Sequence, residues 1–140
     1  MIEYQYNTSN FPFNKKLHSK WIRAVLEEEG FNLGQIGYIF CNDEYILEIN
    51  KKFLQHDTYT DIITFPQGDL DSTIISGDIY ISIDRVYDNA EKFDKTFENE
   101  LGRVMVHGIL HLMGYDDHTD EDRLVMRAKE DYYLSLQPVK

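Results

Sequence analysis

A single cysteine, Cys41, is all the thiol chemistry this 140-residue chain carries, which excludes an internal disulfide and suits a reducing compartment. It sits in an apolar run and reads as a buried packing thiol. Nowhere do about 18 apolar residues follow one another, and no basic stretch leading into an apolar run opens the chain. No membrane partner is therefore expected, and the protein reads as soluble and cytoplasmic. Proline is scarce as well, with three in all, and there is no Pro/Gly/Ser-rich linker, repeat or low-complexity tract. Residues 1–140 thus read as one domain. Positive charge is the last shortage: 14 Lys and Arg face 25 Asp and Glu, for a net charge of −11. Such a field repels phosphate, so indiscriminate nucleic-acid binding is excluded and DNA is not expected as a partner. Any contact with RNA needs a local basic patch. Lys16, Lys20 and Arg23 fall on one helix face, and Lys15, Lys51 and Lys52 are candidates to extend it. The competing reading is a solvated face balanced by Glu27, Glu28 and Glu29.

What is present is an ordinary core-forming composition, 42% hydrophobic and 14% aromatic. Residues 1–6 alternate and predict a strand. Leu17, Trp21, Val25 and Leu26 recur at helical spacing between Asn14 and Glu29, and Gly30 stops the run. Residues 35–42 predict a buried strand. Asp43 is placed to cap a helix through Phe53, with Tyr45, Ile46, Ile49 and Phe53 toward the core. Residues 60–65 predict a strand closed by Pro66, and 76–83 another, in which Ile79, Ile81 and Ile83 alternate with Tyr80 and Ser82. Asp84 is placed to cap a helix to Phe93, Thr96 the next, and Thr119 the last, which runs to Leu134. Four strands and about five helices without steady βα alternation imply an α+β fold, a small mixed sheet packed with helices.

The most informative stretch runs from His107 to His118. His107 and His111 are four residues apart, one helical turn, so both imidazoles reach one point. Gly114 can end that helix in a left-handed conformation. The chain then turns back with Asp116, Asp117 and His118. Asp117 lies ten residues after His107, the spacing by which metzincin-type zinc proteins bring their third ligand round a glycine turn. A carboxylate is a competent zinc donor, and a three-ligand site at the end of a helix leaves a position open for water. His118, one residue later, is the alternative third ligand; Asp116 and His118 are otherwise candidates to orient ligands or move a proton. Tyr115 in the turn either packs or stacks on a base. A zinc peptidase of the H-E-x-x-H kind is argued against by Gly108, which stands where that motif has its glutamate base and cannot take a proton.

The run from His107 to His118 resembles the signature of the YbeY family of bacterial metallo-endoribonucleases, or rRNA maturation factors, which reads roughly H-G-x-L-H-L-x-G-Y-D-H. Thr60-Asp61-Ile62-Ile63-Thr64-Phe65-Pro66 is similar to the family's T-D-V-L-S-F-P strand, and Gly77-Asp78-Ile79 to its G-D-I strand. The resemblance implies a four-stranded sheet with about five helices cradling one zinc ion. It also implies single-strand-specific RNA cleavage in maturation of the 3′ end of small-subunit ribosomal RNA and in ribosome quality control. The partners it implies are single-stranded RNA and the ribosomal small subunit or its associated proteins. His107, His111 and Asp117 would then be the catalytic, zinc-holding set. Two departures stand out: Asp117 replaces the third family histidine, and Leu54 replaces an arginine of the RNA-handling surface. His56 is a local substitute for that arginine or an exposed loop histidine. The alternative to an enzyme is a non-catalytic ribosome-assembly protein whose metal only holds the last two helices together, which four protein ligands would indicate.

Overall fold

The computed structural model describes residues 1–54, 60–69 and 72–138. Among these the chain runs β1 (Ile2–Asn7), α1 (Lys15–Glu28), β2 (Asn32–Cys41), α2 (Asp43–Leu54), β3 (Ile62–Gln67), β4 (Ile74–Ser82), α3 (Ile83–Lys92), α4 (Phe97–Leu112) and α5 (Asp120–Leu134). The strands form one sheet in the order β1-β2-β4-β3. β1, β2 and β4 are parallel, and β3 pairs antiparallel with β4 at the edge. This is the α+β fold with a small mixed sheet that the patterning implied. None of the described helices is long and apolar enough to cross a membrane.

The pleat sends alternate residues to opposite faces. Ile36, Tyr38 and Phe40 of β2 and Ile75, Ile79 and Ile81 of β4 join the main core with α1, α3, α4 and α5. On the other face Cys41, Ile63 and Ile46 of α2 form a smaller cluster. The Cys41 thiol is fully buried, as expected, and burial pushes its pKa up to about 12. Because α2 covers only the β3–β4 half of its face, Tyr45 and Phe53 stay at the rim, with Phe53 56% exposed, rather than in the core. On α1 the buried stripe is His18, Trp21, Ile22, Val25 and Leu26, with Leu17 outside it.

Three helix starts differ from the sequence pattern in an informative way. Asn42, not Asp43, caps α2, its Oδ1 accepting from Tyr45 N at 2.8 Å. Ser82, not Asp84, caps α3 by accepting from Arg85 N at 3.3 Å, so the strand ends one residue earlier than the isoleucine alternation suggests. Asp84 is spent on the neighbouring helix, accepting from Asp43 N at 2.9 Å. Thr96 and Thr119 cap α4 and α5 as expected. β3 continues through Pro66, which an edge strand tolerates because a missing N–H breaks no interior ladder.

Helix α4 is the spine of the molecule. Tyr38 Oη donates to Met105 O at 3.0 Å and ties it to β2, while Trp21 Nε1 donates to Tyr133 O at 3.0 Å and ties α1 to α5. A Cβ on Gly108 would lie 2.9 Å from Ile79 Cγ2 and 3.0 Å from Ile62 Cδ1, so the helix rests directly on the sheet. Alanine there gains about 1 kcal/mol in helix propensity but overpacks the contact at a cost of about 1–3 kcal/mol. Gly108→Ala is expected to lower the thermal midpoint by roughly 3–4 °C for each net kcal/mol lost, read by calorimetry on metal-free protein.

Candidate metal centre

His107 and His111 project from the last two turns of α4 on one face. The helix then closes at Gly114, whose φ of 106° is left-handed. Gly114 N donates to His111 O at 3.0 Å and Tyr115 N to Leu110 O at 3.0 Å, the paired bonds of a glycine C-terminal motif. That reversal aims Asp117 back at the histidines. The loop is held at both ends: Tyr115 Oη donates to Glu29 Oε1 at 2.7 Å, and Arg123 Nη1 donates to the carbonyls of Asp117 and His118 at 3.1 and 3.2 Å. Tyr115 is thus occupied in packing and anchoring.

The three ligand atoms converge. His107 Nε2 and His111 Nε2 are 2.9 Å apart, and Asp117 Oδ2 lies 3.5 and 3.4 Å from them. Tetrahedral ligation with bonds near 2.1 Å separates ligand atoms by about 3.3–3.4 Å, so this triangle suits a zinc-sized ion. Tautomer chemistry points the same way. His107 Nδ1 lies 2.6 Å from Glu130 Oε2, and a carboxylate only accepts, so that nitrogen carries the proton. With Nδ1 committed to Glu130, His107 turns only Nε2 toward His111 and Asp117, where a proton or a metal cation would sit between the three ligand atoms.

Glu130 is the residue that periodicity alone conceals. It is buried on α5 in register with Met126, Tyr133 and Leu134, and it also accepts from Arg103 Nη1 at 2.8 Å. Arg103 in turn donates to Asp131 Oδ1 at 3.0 Å. A carboxylate behind a ligating histidine sets its tautomer and raises its basicity. The available signal was an acidic side chain in the apolar stripe of α5, with an arginine one turn before His107. Burial disfavours charge on His107, but the Glu130 hydrogen bond and charge, with Asp117 and Asp61, outweigh it and raise its pKa. Burial and the neighbouring His107 lower that of His111.

A cleft of about 630 Å³ opens over His107 and Asp117. Asp61, at the entry to β3, lines it together with Glu100 and Glu130. Burial pushes the carboxyl of Asp61 up, partly offset by His107. Lys95, Arg103, Arg123 and Arg127 line it too, so positive charge gathers here in an otherwise acidic chain.

The remaining expected site residues lie elsewhere. Asp116 and His118 face each other at 3.6 Å and point outward, with His118 80% exposed, so neither joins the cluster. Lys16, Lys20 and Arg23 are exposed on α1, whereas Lys51 and Lys52 are exposed on α2 across the sheet. They do not make one patch, and none of them lines the cleft. Lys15 sits over the ring of Tyr6 at 5.7 Å. His56 lies outside the described residues.

Removal of the second carboxylate should be felt at the metal. Glu130→Ala is expected to weaken zinc binding about 10- to 100-fold at mildly alkaline pH, measured by competition with a chromophoric chelator. Because His107 holds a proton more readily than an ordinary histidine, zinc binding must displace it, and affinity in wild type should climb with pH above the usual histidine range. Glu130→Ala should move that climb to lower pH.

Comparison with known proteins places the chain. It is 47% identical over 140 residues to a protein named endoribonuclease YbeY from Flavobacterium psychrophilum, covering 100% of this chain and 99% of that one. A protein of the same name from Cytophaga hutchinsonii is 50% identical over 117 residues, covering 84% and 81% of the two chains. A Thermotoga maritima protein whose structure was determined in solution superposes with a TM-score of 0.68 at 31% identity, covering 96% of this chain and 87% of that one. The family model described as endoribonuclease YbeY matches residues 2–137, and the chain belongs to that family.

Proposed function

We propose that this protein is a zinc-dependent endoribonuclease that hydrolyses phosphodiester bonds in single-stranded RNA. One observation carries the reading: His107, His111 and Asp117 converge at the edge of a cleft that Lys95, Arg103, Arg123 and Arg127 also line. The names of its relatives support RNA as the substrate class. The resemblance of the His107–His118 run to the family signature supports the finer assignment, maturation of the 3′ end of small-subunit ribosomal RNA and ribosome quality control in the cytoplasm. The single-domain reading is carried by the family match along residues 2–137.

The two imidazoles and the Asp117 carboxylate would hold a zinc ion, which would supply Lewis acidity toward a phosphate oxygen and a more acidic water at neutral pH. The chain does the rest. Glu130 holds the Nδ1 proton of His107 and thereby keeps Nε2 free to ligate. Arg103 pairs with Glu130 at 2.8 Å and holds that carboxylate in place behind His107. Asp61 faces the same cleft, and its half-buried carboxyl takes a proton more readily than an exposed one, the property a proton-transfer group needs at Oδ. The carboxylate ligand makes the site less positive than three imidazoles would, which tilts its preference somewhat toward harder ions.

The reading as a non-catalytic assembly protein requires a closed site. Among the described residues the cluster contains three ligands, and His118 points away from it, which favours an open position and an enzyme. Zinc-loaded wild type is expected to cut single-stranded RNA and to spare duplex RNA, peptides and simple carboxylic esters. Chelation should abolish cleavage and zinc should restore it, while His111→Ala should lose both zinc and cleavage. Cutting by the zinc-free variant would overturn the proposal.

A further inference from the structure

The cleft reaches well beyond the histidines. From His107 back to Phe97, α4 spans roughly 15 Å at 1.5 Å per residue. At that far end the turn joining α3 to α4 contributes Phe93 and Lys95 to the wall, and Arg127 lines the same cleft from α5, one turn beyond Arg123. Phe93 is 55% exposed, a large ring left open beside the cleft. Its position is set by the backbone: Asp94 is left-handed at φ 54°, Asp94 N donates to Glu91 O at 3.3 Å, and Lys95 N donates to Ala90 O at 2.8 Å. Lys92 Nζ lies 5.5 Å from the ring centre and adds positive charge beside it.

The cations of the cleft divide into two kinds. Arg103 is tied to Glu130 and Asp131 and serves the scaffold of the metal centre. Arg123 holds the ligand loop through two carbonyls. Lys95 and Arg127 are exposed and line the same cleft as Phe93. In a chain of net charge −11, two exposed cations and an open aromatic ring lining one cleft with His107 and Asp117 match the chemistry of an unpaired nucleotide.

We propose that Phe93, Lys95 and Arg127 form a nucleotide subsite for single-stranded RNA adjoining the metal centre, Phe93 stacking on a base while Lys95 and Arg127 each neutralise a phosphate. The inference rests on the endoribonuclease reading and deepens it. A base paired in a duplex has its faces covered by its neighbours, so only an unpaired base can use Phe93. The preference for single strands then comes from this ring and not from the metal. The lost arginine at Leu54 is compensated on another wall of the molecule, by cations of α5 and of the α3–α4 turn.

The test uses the zinc-loaded full chain and a fluorescent single-stranded oligoribonucleotide with hydrolysis-resistant phosphorothioate linkages, read by anisotropy. Adding Phe93→Ala is expected to weaken binding about 5- to 10-fold, with Phe93→Tyr restoring it. Adding Lys95→Ala or Arg127→Ala should each flatten the log–log salt dependence by about 0.7. In the cleaving protein, Phe93→Ala should raise KM for RNA more than it lowers kcat. Affinity and salt slope unchanged in all three variants, with wild type still cutting RNA, would overturn the subsite and leave the endoribonuclease reading standing. No binding of that oligonucleotide would overturn the subsite, and no cleavage of RNA by wild type as well would overturn both. A Phe93→Ala chain that loses thermal stability, and whose affinity Phe93→Tyr does not rescue, would identify the ring as structural and also overturn the subsite.

Discussion

Helix α4 lies so close to the sheet that residue 108 has no room for a side chain, and much of the site follows from that contact. Ile79 and Ile62 press against the glycine and fix the height and rotation of the helix over β3 and β4. With α4 seated, His107 and His111 emerge on the flank that faces α5, where Glu130 waits behind the first imidazole. The same glycine occupies the place where zinc peptidases carry their catalytic glutamate. One packing constraint thus positions the ligands and removes a rival chemistry.

Electrostatics is the second organising theme. A chain with a net charge of −11 repels RNA at long range, so attraction has to be local. Arg103, Arg123, Arg127 and Lys95 supply it where it is needed. They share the cleft with Asp61, Glu100, Asp117 and Glu130, whose charges a divalent ion would offset. Metal loading and substrate attraction are thereby coupled: the carboxylates that help build the site repel phosphate until a cation sits among them.

Much of this was legible in the sequence. The helical stripe of α1, the alternation in β4, the threonine caps of α4 and α5 and the ligand register through Gly114 to Asp117 are local patterns, and local patterns survive folding. What escaped was non-local. Nothing within α5 announces that Glu130 meets a histidine 23 residues earlier. Asp84 looked like a cap for its own helix because its donor, Asp43 N, belongs to another helix. The basic residues of α1 and α2 looked like one patch because one dimension does not show that a sheet lies between them. The cleft cations were invisible as a group for the same reason, being contributed by a turn and two helices. The resemblance to the family signature, carried by twelve residues and two short strands, reached the identity of the fold before any of these contacts were in view.

X-ray absorption spectroscopy of the zinc-loaded chain, with metal stoichiometry measured on the same sample, is the most direct measurement. One zinc per chain, bound by two imidazoles, one carboxylate oxygen and one solvent-derived ligand, is the predicted result. A zinc shell with a third imidazole in place of the carboxylate, or no tight zinc binding at all, would contradict an open site built from His107, His111 and Asp117.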